Sequence, residues 1–352
     1  LTVCPESEDT GLMRAALARL GVPCSPSEGG QRVVVDGAGG PFTKLEDPGS
    51  ALDVGTAGTA ARFLSAALAA SPITARMDGT ARMRERPMAV LLDTLGAQGA
   101  ELRYHGKAGA LPVTIVGAAG GLKGGEIRLQ RPPSSQFISA LILAAPLASA
   151  ATTIILEGGT PAPPYVDMTL ATLEAFGGRG GWTGEERITV EPSALIGRDY
   201  AIEPDASAAS YFLALAAISG GAVTIPDLGS ASLQGDAGFV RLLERMGAVV
   251  LQGEHTTSVR SCGRLRGIDV DMRDTPDMTL TLAVVALYAE GTTKISGVEI
   301  LRHHESDRLA AGLANFGHHS VRCIRGAALA VGRAAEVIDD NLDAARREGQ
   351  RV

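Results

Sequence analysis

Five times along the chain, an apolar helical stretch ends in a glycine and runs on into a strand-like segment: ALARLGVPC, TLGAQGAEL, TLEAFGGRGGW, LLERMGAVVL and GLANFGHHSV. With Gly21, Gly99, Gly177, Gly247 and Gly317 as equivalent points, the successive spacings are 78, 78, 70 and 70 residues. A glycine after a helix is an ordinary C-cap, because it enters the left-handed region without a Cβ penalty. Recurrence at so regular a spacing is less ordinary, and it predicts stacked copies of one α/β unit. Between these points RVVVDG, LPVTIVG, TTIILEG, AVTIPD and IDVDM read as strands. Helices alternating with such runs predict an α/β fold with several crossovers.

The stretch YAIEPDASAASYFLALAA is the predicted hinge. Glu203-Pro204-Asp205 breaks the strand before it, and Asp205 and Ser207 are placed to cap the small-residue helix after it. The expected domains are 1–203 and 204–352. With 45% hydrophobic and 20% charged residues, both can build sizeable cores.

Composition also excludes some functions. A net charge of −7 speaks against a general nucleic-acid binder. It leaves room for a small anionic ligand, since a few clustered arginines set the local field. No apolar run is long enough for a transmembrane helix, so no membrane association is expected. The opening LTVCPESEDT lacks the basic and apolar regions of a signal peptide. Cys4, Cys24, Cys262 and Cys323 are scattered without a CxxC pair, which argues against a zinc site or disulfide framework and fits a reducing cytoplasm. The closing GRAAEVIDDNLDAARREGQRV is polar and reads as a marginal helix or frayed tail.

Several stretches could carry chemistry, and each also has an ordinary structural explanation. LDVGTAGTAARFLSAALAA places glycines and threonines where a strand meets a helix. Exposed N–H groups and the positive end of the helix dipole suit an anion there, although glycine-rich turns are common. In ARMRERPMAVLLDTLGA, Arg82, Arg84 and Arg86 precede Pro87, a first-turn residue. A guanidinium beside a helix N-terminus is unfavourable unless an anion joins it; a solvated basic turn is the alternative. In RPPSSQFISALILAAPLA, Ser134, Ser135 and Gln136 open an apolar helix, as caps or as phosphate ligands. PAPPYVDMTLATLEAFG repeats the arrangement with Tyr165. Asp277 follows Pro276 at the start of another helix, as a dipole partner or a rigidly held base. Arg302, His303, His304, Glu305, Asp307 and Arg308 form the densest polar cluster, with Ser306 and Asp307 as candidate caps. The histidines are adjacent, not one helical turn apart, so metal binding is not expected.

Together these stretches resemble the enolpyruvyl transferases, and among them the 5-enolpyruvylshikimate-3-phosphate synthases more than the branch acting on UDP-N-acetylglucosamine. The segments GTAGTAARFL, ARMRERP, SSQFISALILAAPLA, PYVDMTL, DASAASYFLALAAISGG, SLQGD, TPDMTLTLAVVALYAEGTT and ESDRL stand in the family's order along most of the chain. The resemblance implies a two-domain inside-out α/β barrel of repeated βαβαββ units that closes on its substrates. It implies attack of the 5-hydroxyl of shikimate 3-phosphate on carbon 2 of phosphoenolpyruvate, with loss of phosphate, as a step in aromatic amino acid biosynthesis. No metal or organic cofactor is implied, and a monomer is expected. Residue by residue, Gly58 and Thr59 match the turn facing phosphoenolpyruvate. Arg86 matches the arginine on its phosphate, and Arg308 an arginine on its carboxylate. Ser134, Ser135, Gln136 and Tyr165 match the shikimate 3-phosphate site, with Gln136 between the substrates. Asp277 matches the acceptor of the hydroxyl proton, and Glu305 the carboxylate serving the enol carbon.

The chain also departs from the family pattern. The family's N-terminal Lys-Ser pair and a later arginine have no counterpart, nor do its C-terminal Asp-His-Arg motif and a late lysine. VIDDNLDAARREG, with Asp339-Asp340, starts towards that motif and leaves it. His304 stands where the family has a substrate-contacting lysine, and Phe63 where proline is frequent. The expectation is a chain shortened at both ends with an incomplete second domain. Two alternatives stay open: an impaired homologue that only binds shikimate 3-phosphate, or transfer to another acceptor such as UDP-N-acetylglucosamine.

Overall fold

The computed structural model describes residues 1–303, 307–310, 320–324 and 328–332. Its helices are α1 (Glu8–Arg19), α2 (Gly58–Ala69), α3 (Ala81–Glu85), α4 (Ala89–Ala97), α5 (Ser135–Ala144), α6 (Pro163–Ala175), α7 (Ala206–Ser219), α8 (Phe239–Arg245) and α9 (Thr279–Ala286).

The repeat predicted from the glycine marks is present as chain topology. Leu52–Asp53 runs through α2 to Thr74–Asp78, then through α3 and α4 to the hairpin Glu101–Tyr104 and Val113–Val116. The first two strands pair parallel and the others antiparallel. Gly125–Gln130, α5, Thr152–Glu157, α6, Arg179–Gly184 and Arg187–Glu191 repeat this βαβαββ order with the same pairings. Asp269–Asp271, Thr292–Ser296, Ala328–Gly332 and Ser320–Ile324 form a third sheet of that spatial order. Ala222–Pro226, Thr256–Arg260 and Val249–Gln252 make a three-stranded sheet among the described residues.

The marks themselves are helix terminators. Gly21, Gly99, Gly177 and Gly247 have φ of 79°, 115°, 83° and 107°. At each, the glycine N–H and the next residue's N–H turn back onto the helix: Gly177 to the Glu174 carbonyl at 2.8 Å and Gly178 to that of Leu173 at 2.9 Å, for example. These two hydrogen bonds satisfy carbonyls the helix end leaves open. Gly317 and the closing stretch from residue 333 onward lie outside the described residues.

Burial divides the molecule. One cluster of buried apolar residues runs from Ala16 to Val190 and a second from Leu213 to Leu309. In the first, α5 is apolar nearly all round and lies between α2 and α6. Such a helix is stable only when covered on every side. The small residues Ala60, Ala61 and Ala140 are buried in this layer. The strands show period-two burial instead: in Thr152–Glu157, Ile154 and Leu156 are fully buried and their neighbours half-buried.

The hinge prediction needs one correction. The residues before Glu203 form no strand; Ala201 makes only an isolated bridge to Thr2, with Thr2 N–H donating to Tyr200 and Ile202 N–H to Thr2, each at 3.0 Å. Pro204, which lacks an N–H, limits the pairing. Asp205 does cap α7, accepting from the Ala208 N–H at 3.1 Å. Ser207 does not; its hydroxyl donates elsewhere, as described below.

Candidate active site

The α2 junction forms as its residue types dictate. Gly55, with φ of 50°, turns the chain after Asp53, whose carboxylate accepts from the Gly55 N–H at 2.9 Å. Ala57 is the N-cap residue, without a side-chain cap, so Gly58 opens the helix as a bare backbone position. Two guanidiniums converge on it. A Cβ placed on Gly58 would lie 2.6 and 2.7 Å from the terminal nitrogens of Arg86 and would also strike the Arg62 guanidinium. Both arginines are buried, at 2% and 6% exposure for Arg62 and Arg86. Two buried cations at the positive end of a helix concentrate charge of one sign, the arrangement that receives a phosphate or carboxylate.

Arg86 reaches this point from between α3 and α4. It ends α3, Pro87 follows, and its side chain folds back so that Nη1 donates to the Thr56 carbonyl at 2.9 Å. Its neighbours do not join it: Arg84 forks onto Asp78 at 2.9 and 2.8 Å, and Arg82 pairs with Glu85 at 3.0 Å. Of the three arginines in ARMRERP, only Arg86 lines the cleft.

The α5 N-terminus supplies the facing wall. Ser134 is the N-cap and accepts from the Gln136 N–H at 3.2 Å; Ser135 is the first helical residue and is buried. The Gln136 side chain is clamped at both ends: its Oε1 accepts from Arg62 at 2.9 Å and its Nε2 donates to the Thr59 hydroxyl at 3.1 Å. Arg62 also lies over the Phe137 ring, 5.2 Å from its centre. Arg62 carries no motif signal of its own in the sequence beyond its place one turn into α2.

The opposite wall comes from the second core. Asp277, Ile300 and Arg308 line the same cleft as Arg62, Arg86, Ser134 and Gln136. Asp277 sits in a single helical turn, Pro276–Met278, and does not cap α9. Its Oδ1 accepts from Arg308 at 2.6 Å and its Oδ2 from the Tyr165 hydroxyl at 3.2 Å. Asp307 caps the turn that carries Arg308, accepting from the Ala310 N–H at 2.9 Å. His304 and Glu305 lie outside the described residues.

Tyr165, in the first turn of α6, reaches a second carboxylate as well. Its hydroxyl is 3.1 and 3.3 Å from the two oxygens of Asp236, a buried side chain that also accepts from Ser207 at 2.6 Å. Burial raises the Asp236 pKa; the Asp277 charge adds to it, and the Ser207 and Tyr165 hydrogen bonds oppose it. Burial, then the charges of Asp277 and Asp236, push the Tyr165 hydroxyl far up, so it stays a donor. Asp236 ends SLQGD, and a lone Gly-Asp pair carries no sign in the sequence that it will face a tyrosine 71 residues away.

These residues therefore form one site from elements distant in sequence: a cationic helix N-terminus, a fixed amide, and a carboxylate held between a guanidinium and a phenol. A family model described as EPSP synthase (3-phosphoshikimate 1-carboxyvinyltransferase) matches residues 1–332. The 3-phosphoshikimate 1-carboxyvinyltransferase of Sulfurovum sp. (strain NBC37-1) is 41% identical over 308 residues, covering 87% of this chain and 71% of the relative. The chloroplastic enzyme of that name from Petunia hybrida is 41% identical over 329 residues, covering 87% of this chain and 62% of the relative. The solved EPSP synthase of Acinetobacter baumannii superposes with a TM-score of 0.73 at 27% identity, over 94% of this chain and 75% of that one.

Proposed function

This chain belongs to the EPSP synthase family, and from that premise we propose that it transfers the enolpyruvyl group of phosphoenolpyruvate to the 5-hydroxyl of shikimate 3-phosphate, with the residues of the cleft in the following roles. The observation that carries the assignment of roles is the convergence of buried Arg62 and Arg86 on Gly58, opposite Asp277. Both substrates are phosphorylated anions, and such a site favours them by charge and by N–H donors together.

In this reading Arg86 and the Gly58–Thr59 turn hold the phosphate of phosphoenolpyruvate, and Arg308 its carboxylate. Ser134, Ser135, Gln136 and Tyr165 hold shikimate 3-phosphate. Asp277 takes the proton of the 5-hydroxyl as that oxygen bonds to carbon 2, and the tetrahedral adduct then expels phosphate. Protonation at the enol carbon is assigned to Glu305, beside His304. The Asp277–Arg308 pair, 2.6 Å apart, implies that the arginine turns towards the incoming carboxylate while Asp277 keeps its bond from Tyr165. The two buried clusters support reading 1–203 and 204–352 as two domains of an inside-out α/β barrel, with the cleft between them.

The test is phosphate release from phosphoenolpyruvate and shikimate 3-phosphate, with Asp277→Ala as control. Release that disappears in the control supports the assignment. Binding of shikimate 3-phosphate without release by a folded chain would make it a binding protein. Release only with UDP-N-acetylglucosamine would change the acceptor. Among the described residues no helix is long and apolar enough to cross a membrane.

A further inference from the structure

Two carboxylates share one phenolic proton. The Tyr165 hydroxyl has a single hydrogen, yet Asp236 Oδ2 at 3.1 Å and Asp277 Oδ2 at 3.2 Å are both within reach. When the hydrogen points at one, the other has lost it. Tyr165 belongs to α6, Asp236 to the turn before α8, and Asp277 to the turn before α9, so the three groups are brought together only by the fold. Asp236 is 4% exposed and has a second donor, the Ser207 hydroxyl at 2.6 Å.

We propose that Asp236 is a positioning residue for the base: it stores, through Tyr165, the proton that Asp277 removes from the acceptor hydroxyl. This rests on the enolpyruvyl-transfer reading. The O–H bond of the substrate breaks and an O–H bond forms on Asp277. That proton passes to the Tyr165 oxygen as the tyrosine's own proton passes to Asp236. Asp277 is again an anion, Asp236 is a neutral acid, and Tyr165 ends as it began. The reverse shift returns the proton to Asp277 as the adduct collapses, and the departing phosphate carries it away.

Charges around the pair favour this direction. Asp236 faces Tyr165 from α6, Asp277 from the turn before α9, and Asp205 and Ser207 from the start of α7. Burial and the two neighbouring carboxylates raise its affinity for a proton, whereas Asp277 is only half-buried and, before phosphoenolpyruvate binds, accepts from Arg308 at 2.6 Å. Two carboxylates that share one phenolic donor titrate as a pair.

The experiment compares the full chain with its Asp236→Asn and Ser207→Ala variants. It measures the pH profile of kcat and KM and titrates carbon-13-labelled aspartate carboxyls by NMR. In Asp236→Asn we expect kcat to fall about 10-fold or more, within the range of proton-transfer contributions, with KM for shikimate 3-phosphate within about twofold. In the NMR the Asp277 carboxyl should lose the second of two coupled titration steps. Ser207→Ala removes a donor that favours the Asp236 anion, so the acid limb of kcat should move to higher pH. It also decides the matter if Asp236→Asn does not fold. A purely structural Asp236 would change KM or the melting temperature and leave both limbs in place. Unchanged pH profiles, or an Asp277 carboxyl titrating identically in Asp236→Asn, would overturn the proposal. A wild-type chain without turnover removes the enolpyruvyl-transfer reading instead, and the NMR titration then decides the shared proton alone.

Discussion

The guanidinium of Arg62 holds the side-chain oxygen of Gln136 at 2.9 Å, from α2 to α5, and so fixes which end of that amide faces Thr59. An amide is nearly symmetric in shape, so only its partners set its orientation. The same guanidinium lies over the Phe137 ring, 5.2 Å from its centre, and the whole residue is buried. Arg62→Met keeps most of this packing and removes the donors. The expected loss is about 2 kcal/mol in urea unfolding, typical of a hydrogen bond to a charged group. The expected fall in kcat/KM is about 10-fold or more, because Gln136 loses its fixed orientation. An unchanged kcat/KM would show that Gln136 needs no such clamp.

Gly58→Ala tests the crowding at the head of α2. The new methyl meets only the ends of two flexible side chains, at 2.6 Å for Arg86 Nη2. Gly58 has no positive φ, so its backbone accepts alanine. Alanine is the better helix residue by about 1 kcal/mol, but the methyl also strikes the Arg62 nitrogen that holds Gln136, so stability should fall by no more than the roughly 2 kcal/mol of that bond. The cost falls on the ligand. With Arg86 and Arg62 displaced, KM for phosphoenolpyruvate should rise about 10-fold while the chain stays folded. An equal KM would place the phosphate elsewhere.

Much of the fold was legible because its signals are local. The four described glycine marks end helices by the C-cap geometry their position implied, and the strand runs named from sequence are strands. The hinge strand misled because YAI looks extended, whereas pairing depends on a neighbour that offers only Thr2. Residues that come together at the cleft were legible where a motif and an element start coincide, as at Gly58, Ser134 and Asp277. Asp236 and Arg62 carry no such signal because their contacts run across the fold. Asp205 and Ser207 illustrate the limit: both looked like caps, and only Asp205 is one, since Ser207 finds a buried carboxylate.

Asp277→Asn separates charge from shape at the proposed base. Asparagine can still accept from Arg308 through its oxygen and donate through its Nδ2 to the Tyr165 oxygen, whose hydrogen then turns to Asp236, so the fold should persist with little change in melting temperature. Turnover should drop by about 10²-fold to 10⁴-fold, the range for a lost general base. Binding of shikimate 3-phosphate by calorimetry should survive within a few-fold. Full turnover in this variant would remove Asp277 from the chemistry.

Glu203 gives a stability prediction with a definite pH sense. Its carboxylate sits at the hinge and accepts from the Leu233 N–H at 3.0 Å, from Gln234 Nε2 at 3.0 Å and from the Ser232 hydroxyl, so it pins the loop that leads to Asp236. Burial pushes its pKa up, but the hydrogen bonds from Leu233, Ser232 and Gln234 outweigh that and leave it below the usual value. In the folded state Glu203 therefore binds its proton less readily than in the unfolded chain. Its contribution is fully present above the unfolded pKa, near 4.3, and is lost as pH falls through the lower folded value. Glu203→Gln should lower stability at pH 7 by about 1–2 kcal/mol, and this difference from wild type should shrink as the pH drops below about 4. Urea unfolding of both chains across that range measures it. A difference that stays constant with pH would mean the Glu203 charge contributes nothing and only its shape holds the loop.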